Sequence, residues 1–144
     1  MQDKIVREIT IRATQKKVYD AITLPENVVK WFPTTLEGNY KVGEQPIFGF
    51  GDHGKNQLYI VDAKPNYYFS YRWVPGANHF LGDVLKVPNT LVEFNIEEID
   101  ANTCKVTLIE SGFSKLPKEI MEDSFKQNSG GWEFMLGRLV KIFE

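Results

Sequence analysis

Apolar and polar residues alternate over much of the first three quarters of the chain, a pattern typical of β-strands with one buried face. The alternation predicts strands at residues 4–12, 46–50, 57–63, 67–73, 90–98 and 104–110. Short turns separate most of them, which favours antiparallel pairing. The residues predicted to share inward faces are Ile5, Ile9, Ile11, Phe48, Phe50, Tyr67, Phe69, Tyr71, Trp73, Val92, Phe94, Ile96, Cys104, Val106 and Leu108.

Two short helices are predicted after the first strand. Thr14 suits the N-cap of a helix over residues 15–23, because its hydroxyl can accept a hydrogen bond from the first turn. Pro25 ends that helix and starts a second one, which runs through Lys30 and ends near Trp31.

The hydrophobic period changes near the C-terminus, where residues 117–143 predict one long amphipathic helix. Pro117 suits the first helical position, because its missing N–H would have no partner there. Gly130 and Gly131 interrupt the helix at a cost of about 1 kcal/mol each relative to alanine. We therefore expect a bulky group to pass close to the helix at this point, and the helix to roof a cavity over the sheet. The predicted apolar stripe consists of Met121, Phe125, Trp132, Met135, Leu136, Leu139 and Phe143.

Composition narrows the class of protein. The 144 residues fit one domain, residues 1–144, in which strands in sequence with helices near the ends predict an α+β fold. A net charge of −2 gives no basic surface for nucleic acid or anionic lipid. The chain has one cysteine, no signal-peptide pattern and no apolar segment long enough to span a membrane, so we expect a cytoplasmic location and no membrane insertion.

Candidate catalytic and metal-binding groups are few. His53 and His79 are the only histidines, and their spacing from Cys104 fits no zinc site, so no metal, cofactor or catalytic residue is predicted. Residues 49–54 are rich in glycine but lack the Gly-Lys-Ser/Thr ending of a phosphate-binding loop. They predict a turn.

Four stretches of the chain, in this order, resemble the START-like superfamily and, within it, the branch named after the activator of the 90-kDa heat-shock-protein ATPase. Together they extend over nearly the whole chain. They are Ala13-Thr14 with Val18, Tyr19, Ala21, Thr23, Pro25 and Trp31; Val61-Asp62-Ala63-Lys64-Pro65 with Tyr71-Arg72-Trp73; Val92-Glu93-Phe94 with Thr103, Val106, Thr107, Leu108 and Gly112-Phe113; and Asn128 with Gly131-Trp132, Leu136 and Leu139.

The resemblance implies the helix-grip fold also found in the birch-pollen allergen type. In that fold a curved antiparallel sheet wraps around a long C-terminal helix, and a hydrophobic cavity lies between them. It does not imply one chemistry, because members include lipid carriers, hormone receptors, aromatic cyclases and co-chaperones.

The candidate site residues would line that cavity. Glu110 continues the inward series of the last strand and would place a carboxylate on the concave face, unless the strand end turns it to solvent. The irregular segment 75–88 would gate access through Asn78, His79 and Phe80, or else be a mobile loop. The other expected ligand-binding residues, which could instead simply fill the core, are Trp31, Phe48, Phe50, Tyr59, Trp73, Phe94, Trp132 and Met135.

The sequence therefore favours a protein that sequesters a small hydrophobic molecule without chemistry. One alternative is a co-chaperone-like interaction module with a protein partner such as a chaperone, which would have a filled core and an exposed patch. Another is a cyclase or hydrolase that uses Glu110 as acid or base in the same cavity.

Overall fold

A computed structural model gives the structure of residues 3–76 and 79–144. Within these ranges the chain forms seven strands and three α-helices, and no helix is long and apolar enough to cross a membrane. The strands are β1 (Lys4–Ile11), β2 (Thr35–Glu37), β3 (Ile47–Gly49), β4 (Lys55–Lys64), β5 (Tyr68–Trp73), β6 (Thr90–Asp100) and β7 (Thr103–Ser111). The helices are α1 (Gln15–Thr23), α2 (Pro25–Val28) and α3 (Lys118–Lys141).

The strands form one curved antiparallel sheet in the order β1-β7-β6-β5-β4-β3-β2. Each of β3 to β7 pairs with the strand before it in sequence, and the first strand closes the order by pairing with the last, Lys4 opposite Ser111. This arrangement confirms the predicted helix-grip α+β fold. Strand β2 was not predicted, since its three residues are too short to show a period.

The predicted alternation is confirmed in the long strands. In β7 every second residue from Cys104 to Glu110 is buried, and in β6 the same holds from Thr90 to Ile96. Tyr67 is an exception, because it lies in the turn before β5 and is exposed.

Helix α1 packs on the sheet against β5, β6 and β7, and the short helix α2 packs on α1. Helix α1 has the predicted bounds, and the Thr14 hydroxyl accepts a hydrogen bond from the Lys17 N–H at 3.2 Å. Helix α2 ends at Val28, earlier than predicted. The turn after it buries Trp31, whose indole N–H donates to the Ala21 carbonyl at 2.8 Å.

Helix α3 lies closest to β1, where the Arg7 guanidinium donates to the Ser129 carbonyl at 3.4 Å. Its buried positions are Ser124, Trp132, Leu136 and Leu139, and the other members of the predicted stripe are partly buried against the core. Pro117 is the N-cap and not the first helical residue, because its ψ of 141° is extended.

The reason predicted for the helix glycines is wrong. A Cβ atom added at Gly130 or Gly131 would meet nothing within 4 Å, so no bulky group passes the helix there. The close approach is made instead by Gly76, in the loop after β5. Its φ is +75°, and a Cβ there would lie 3.2 Å from the Cα of Ser124 on α3. The space beside Gly131 is open and belongs to the cavity described below.

Contacts of α3 with the core predict a large difference between two of its residues. Leu139 is fully buried, whereas Phe134, five residues earlier, is 65% exposed. We expect Leu139→Ala to lower the free energy of unfolding by about 2–5 kcal/mol, and Phe134→Ala by less than about 0.5 kcal/mol. Urea denaturation measures both. Similar losses for the two variants would contradict this orientation of the helix.

Candidate functional site

Glu110 lies near the end of β7 and is 0% exposed. It stands opposite Ile5 on β1 and Val92 on β6, and both of these neighbours are also buried. The alternation of β7, which places Val106 and Leu108 inward, therefore also places the side chain of Glu110 inward. The prediction that Glu110 faces the concave side of the sheet agrees with this position.

Four side chains donate hydrogen bonds to the two oxygens of Glu110. Oε1 accepts from Trp132 Nε1 and from Asn128 Nδ2, each at 2.8 Å. Oε2 accepts from Trp73 Nε1 at 2.9 Å and from the Thr90 hydroxyl at 2.5 Å. We call this group, Glu110 with its four donors, the carboxylate cage.

The donors of the cage favour the ionised carboxylate, because an indole N–H and an amide NH₂ can only donate. Burial acts in the opposite direction and is the larger effect, so the pKa of Glu110 is raised from its ordinary value of 4.5 while the four hydrogen bonds hold the rise back. No Lys, Arg or His forms an ion pair with Glu110 within residues 3–76 and 79–144.

Aromatic rings cover the cage on the side of the cavity. The rings of Trp73 and Trp132 lie 5.9 Å apart between centroids, and Phe32 contacts them at 5.9 and 5.2 Å. Phe50 extends the cluster, with its ring 5.7 Å from Phe32. The indole N–H bonds to Glu110 fix the orientation of both tryptophans in this wall.

An open cavity of about 680 Å³ lies against this wall. It is bounded by α3 on one side and by the loops after β3 and β5 on the other. Its lining combines the aromatic wall with polar side chains at the opposite side and the mouth. The lining residues are Phe32, Phe50, Asp52, His53, Gly54, Asn56, Trp73, Gly76, His79, Gln127, Asn128, Gly131, Trp132 and Met135.

Asn128 joins the cage to the loop that borders the cavity. Its Nδ2 donates to Glu110, and its Oδ1 accepts from the Gly76 N–H at 3.0 Å. Asn56 lies on another part of the wall, is 5% exposed, and has an Oδ1 atom with no hydrogen-bond partner among the described residues. A buried polar atom without a partner is uncommon and is a reason to look for a ligand.

Residues 12–144 match the sequence model of the family described as Activator of Hsp90 ATPase homolog 1-like protein. The chain belongs to this family. The family resemblance predicted from the sequence is thereby confirmed. No curated protein sequence matches the chain significantly.

Solved structures share the fold of this Hsp90-activator-like chain at low sequence identity. DynU16, a protein of the dynemicin biosynthetic locus, is 23% identical with a TM-score of 0.77; the match covers 98% of this chain but 47% of DynU16, so the chain spans about half its length. MLL2253 from Mesorhizobium loti is 18% identical, with a TM-score of 0.76 and coverage of 96% and 94%. Aha1 from Colwellia psychrerythraea, solved as a dimer, is 19% identical, with a TM-score of 0.76 and coverage of 99% and 97%. At these identities the similarity shows the fold alone.

The structure brings only part of the predicted ligand-binding set to the cavity. Phe50, Trp73, Trp132 and Met135 line it, and Glu110 lies behind the indole rings. The remaining members are placed elsewhere.

Trp31, Phe48 and Phe94 are buried in the core and do not line the cavity. Tyr59 does not line it either, because the inward positions of β4 are its neighbours Leu58 and Ile60. These four expectations fail for one reason: an aromatic residue on the correct side of an element can fill the core as readily as line a space.

Of the three predicted gating residues, His79 lines the cavity and its ring packs against Gly54, where an added Cβ would lie 2.8 Å from its Nδ1. Phe80 does not line the cavity, and its carbonyl accepts a hydrogen bond from the Gln57 N–H at 2.8 Å. Asn78 lies outside the described residues. The segment 75–88 is also less irregular than predicted, since a 3₁₀ turn at Val84–Lys86 buries Val84.

Sequence reasoning missed several residues of the site. Asp52, Asn56 and Gln127 line the cavity, and Phe32 is the centre of the aromatic cluster. No local pattern indicated that Thr90 belongs to the site, because its role depends on Glu110, which lies 20 positions away on the next strand. Asn128 was named only among the residues that carry the family resemblance, and it was not predicted to belong to the site.

Titration of Glu110 should change the stability of the fold. Because burial raises its pKa above 4.5, the folded protein holds this proton more tightly than the unfolded chain does. Its contribution is therefore fully present below about pH 4.5 and is lost as the pH rises through the raised pKa of the folded state. Glu110→Gln removes the titration.

We expect the free energy of unfolding of wild type, minus that of Glu110→Gln, to fall as the pH rises from about 4.5 through the raised pKa of Glu110. The fall should be about 1.4 kcal/mol for each pH unit that separates the folded and unfolded pKa values. Urea denaturation across this range measures it. A rise for Glu110→Gln would mean that the hydrogen bonds outweigh burial.

Proposed function

We propose that this protein binds a small, mainly hydrophobic molecule in the cavity and sequesters it without chemistry. The observation that carries the proposal is the open cavity of about 680 Å³, which has an aromatic wall whose two tryptophan rings are fixed from behind by Glu110. Ligand sites in proteins commonly have volumes of about 300–1,000 Å³ and combine apolar walls with a few polar groups. The lining of this cavity has that composition.

The fixed tryptophans favour binding because their side chains are already ordered before a ligand binds, so binding costs little conformational entropy there. Trp73 and Trp132 each have their indole N–H bonded to a buried carboxylate, and their rings touch each other and Phe32. A ligand that buries roughly 300 Å² of apolar surface would gain about 7 kcal/mol at 25 cal/mol per Å², before the cost of association. That gain supports binding without any covalent step.

The geometry gives little support to Glu110 as a general acid or base. Its two oxygens each already accept two hydrogen bonds, and the residue is fully buried behind the indole rings. A catalytic group must come within hydrogen-bond distance of the reacting atom. We therefore do not propose a cyclase or hydrolase.

The alternative of a chaperone-binding module also lacks a specific supporting feature. Among the described residues, the exposed large apolar side chains are distributed over several elements, for example Val6 on β1, Ile99 on β6 and Phe134 on α3. The space between α3 and the loops is open, whereas that alternative calls for a filled core. Membership of the family makes a protein partner a reasonable hypothesis, but binding in the cavity is the better-supported function.

Native mass spectrometry of the purified protein, before and after extraction with organic solvent, tests for a bound ligand directly. We expect an adduct of a few hundred daltons that disappears on extraction. The uncharged fluorescent probe N-phenyl-1-naphthylamine should then bind to the extracted protein. A clean apo mass together with no probe binding would contradict the proposal.

The two adjacent helix glycines provide a matched pair for locating the site. Gly131 lines the cavity and Gly130 does not, yet a Cβ has free space at both. Leucine at 131 would project into the cavity, so we expect Gly131→Leu to weaken binding of the probe at least about tenfold, whereas Gly130→Leu should leave it within about twofold. Both changes should preserve or raise helix stability, because glycine is the poorer helix former. Equal affinities for the two variants would place the probe elsewhere.

A further inference from the structure

The permanently charged groups around the cavity are acidic. Among the lining residues that the structure describes, none is Lys or Arg, Asp52 contributes a carboxylate at the mouth, and the imidazoles of His53 and His79 complete the titratable groups. Asp52 forms no ion pair with any residue in 3–76 or 79–144. A second carboxylate, Glu110, lies directly behind Trp73 and Trp132 and likewise has no cationic partner. A ligand that complements this wall would carry positive charge.

The strong donors of the wall are already occupied. The indole N–H groups of Trp73 and Trp132 and the amide NH₂ of Asn128 donate to Glu110, and the N–H of Gly76 donates to Asn128. An anionic ligand would have to compete with Glu110 for these donors. The unsatisfied polar atom of the wall is instead an acceptor, Asn56 Oδ1. An N–H donor on the ligand would satisfy it.

The aromatic wall also favours a cation. An aromatic face attracts positive charge through its quadrupole, and tryptophan does so most strongly. Both cavity tryptophans donate their N–H to a carboxylate, and hydrogen bonds of this kind polarise the donor group and increase the electron density of the ring. The two rings are 5.9 Å apart and inclined by 34°, and Phe32 and Phe50 lie next to them on the same wall.

We propose that the cavity selects amphipathic amines, molecules with an aromatic or aliphatic body and a positively charged ammonium group. The body lies against Phe32 and Phe50, and the ammonium group faces Trp73 and Trp132. The Asp52 carboxylate at the mouth adds negative potential, and Asn56 Oδ1 offers an acceptor to an N–H of the ligand. This inference rests on the proposed ligand-binding function and adds the charge of the ligand to it. No bond is made or broken.

Three probes that differ in one end group test the charge. They are 2-(1-naphthyl)ethylamine, 2-(1-naphthyl)ethanol and 1-naphthylacetate, which are cationic, neutral and anionic at neutral pH. We expect isothermal titration calorimetry on the extracted protein to give an affinity about tenfold or more higher for the amine than for the alcohol, with the carboxylate weakest. The naphthalene body is the same in all three, so the apolar contribution is held nearly constant.

Asp52→Asn isolates the charge at the mouth, since Asp52 is exposed and the change keeps its shape. It should lower the affinity for the amine about threefold to tenfold and leave that for the alcohol within about twofold. Glu8→Gln, which removes one negative charge from the exposed side of β1, should change neither. Glu110→Gln should also reduce the preference for the amine. If Glu110→Gln does not fold, the comparison of Asp52→Asn with Glu8→Gln still tests selection by charge.

The outcomes separate this inference from the proposed function. If the alcohol or the carboxylate binds as tightly as the amine, or if Asp52→Asn and Glu8→Gln behave alike, selection by charge is wrong and a cavity for hydrophobic ligands remains. If none of the three probes binds while N-phenyl-1-naphthylamine does, selection of amines is wrong and the hydrophobic cavity remains. If N-phenyl-1-naphthylamine does not bind either, the proposed function fails as well.

Discussion

The buried carboxylate of Glu110 is the constraint on which the surrounding structure depends. An unpaired buried charge costs several kcal/mol, so each oxygen of Glu110 needs donors held at fixed positions. The chain supplies them from β5, β6 and α3, through Trp73, Thr90, Asn128 and Trp132. The cage therefore links three strands of the sheet, counting β7 itself, to the long helix. Truncating any one donor would leave a buried charge less satisfied, which costs more than a typical surface hydrogen bond contributes.

The cage also explains how an open space persists beside a well-packed core. The indole rings are held from behind at their N–H groups, so their faces remain in place against the cavity without needing a filling group in front. On the other side Asn128 holds the loop at Gly76, whose lack of a Cβ allows its backbone to come close to α3. Towards its C-terminal end the helix packs through Leu136 and Leu139. The helix is thus held at two places, by close packing at its C-terminal end and by hydrogen bonds at the cage. The space near Gly131 stays open between the helix and the loops.

Much of the fold follows from local patterns in the sequence, because period two and period 3.6 each determine which face of an element is buried. These patterns correctly predicted α1, β7, the inward position of Glu110 and the apolar stripe of α3. The patterns could not predict how far apart two elements lie in the folded protein. The partners of Glu110 are 18 to 37 residues away in sequence, and nothing local indicates that their side chains converge.

The errors at the site have equally specific causes. Trp31 was expected to line the cavity, but its indole N–H turns back to α1, and the next residue, Phe32, takes the position on the wall. The turn after α2 follows neither period, so no periodic rule distinguishes Trp31 from Phe32. Tyr59 was assigned by aromatic type, although the alternation of β4 buries Leu58 and Ile60. The helix glycines were correctly recognised as unusual, but the close approach belongs to Gly76.

The same interaction that stabilises the fold also determines the chemistry of the cavity. Hydrogen bonding to Glu110 uses up the donors that an anionic or strongly accepting ligand would need, and it places negative charge immediately behind two electron-rich rings. Without this carboxylate the same rings would lose the buried negative charge and the hydrogen bonds that fix them, and the preference of the cavity for a cation would weaken. One buried residue can thus change the polarity of a ligand site while the sheet and the helix stay the same, which is a physical reason why a shared helix-grip fold does not imply a shared ligand.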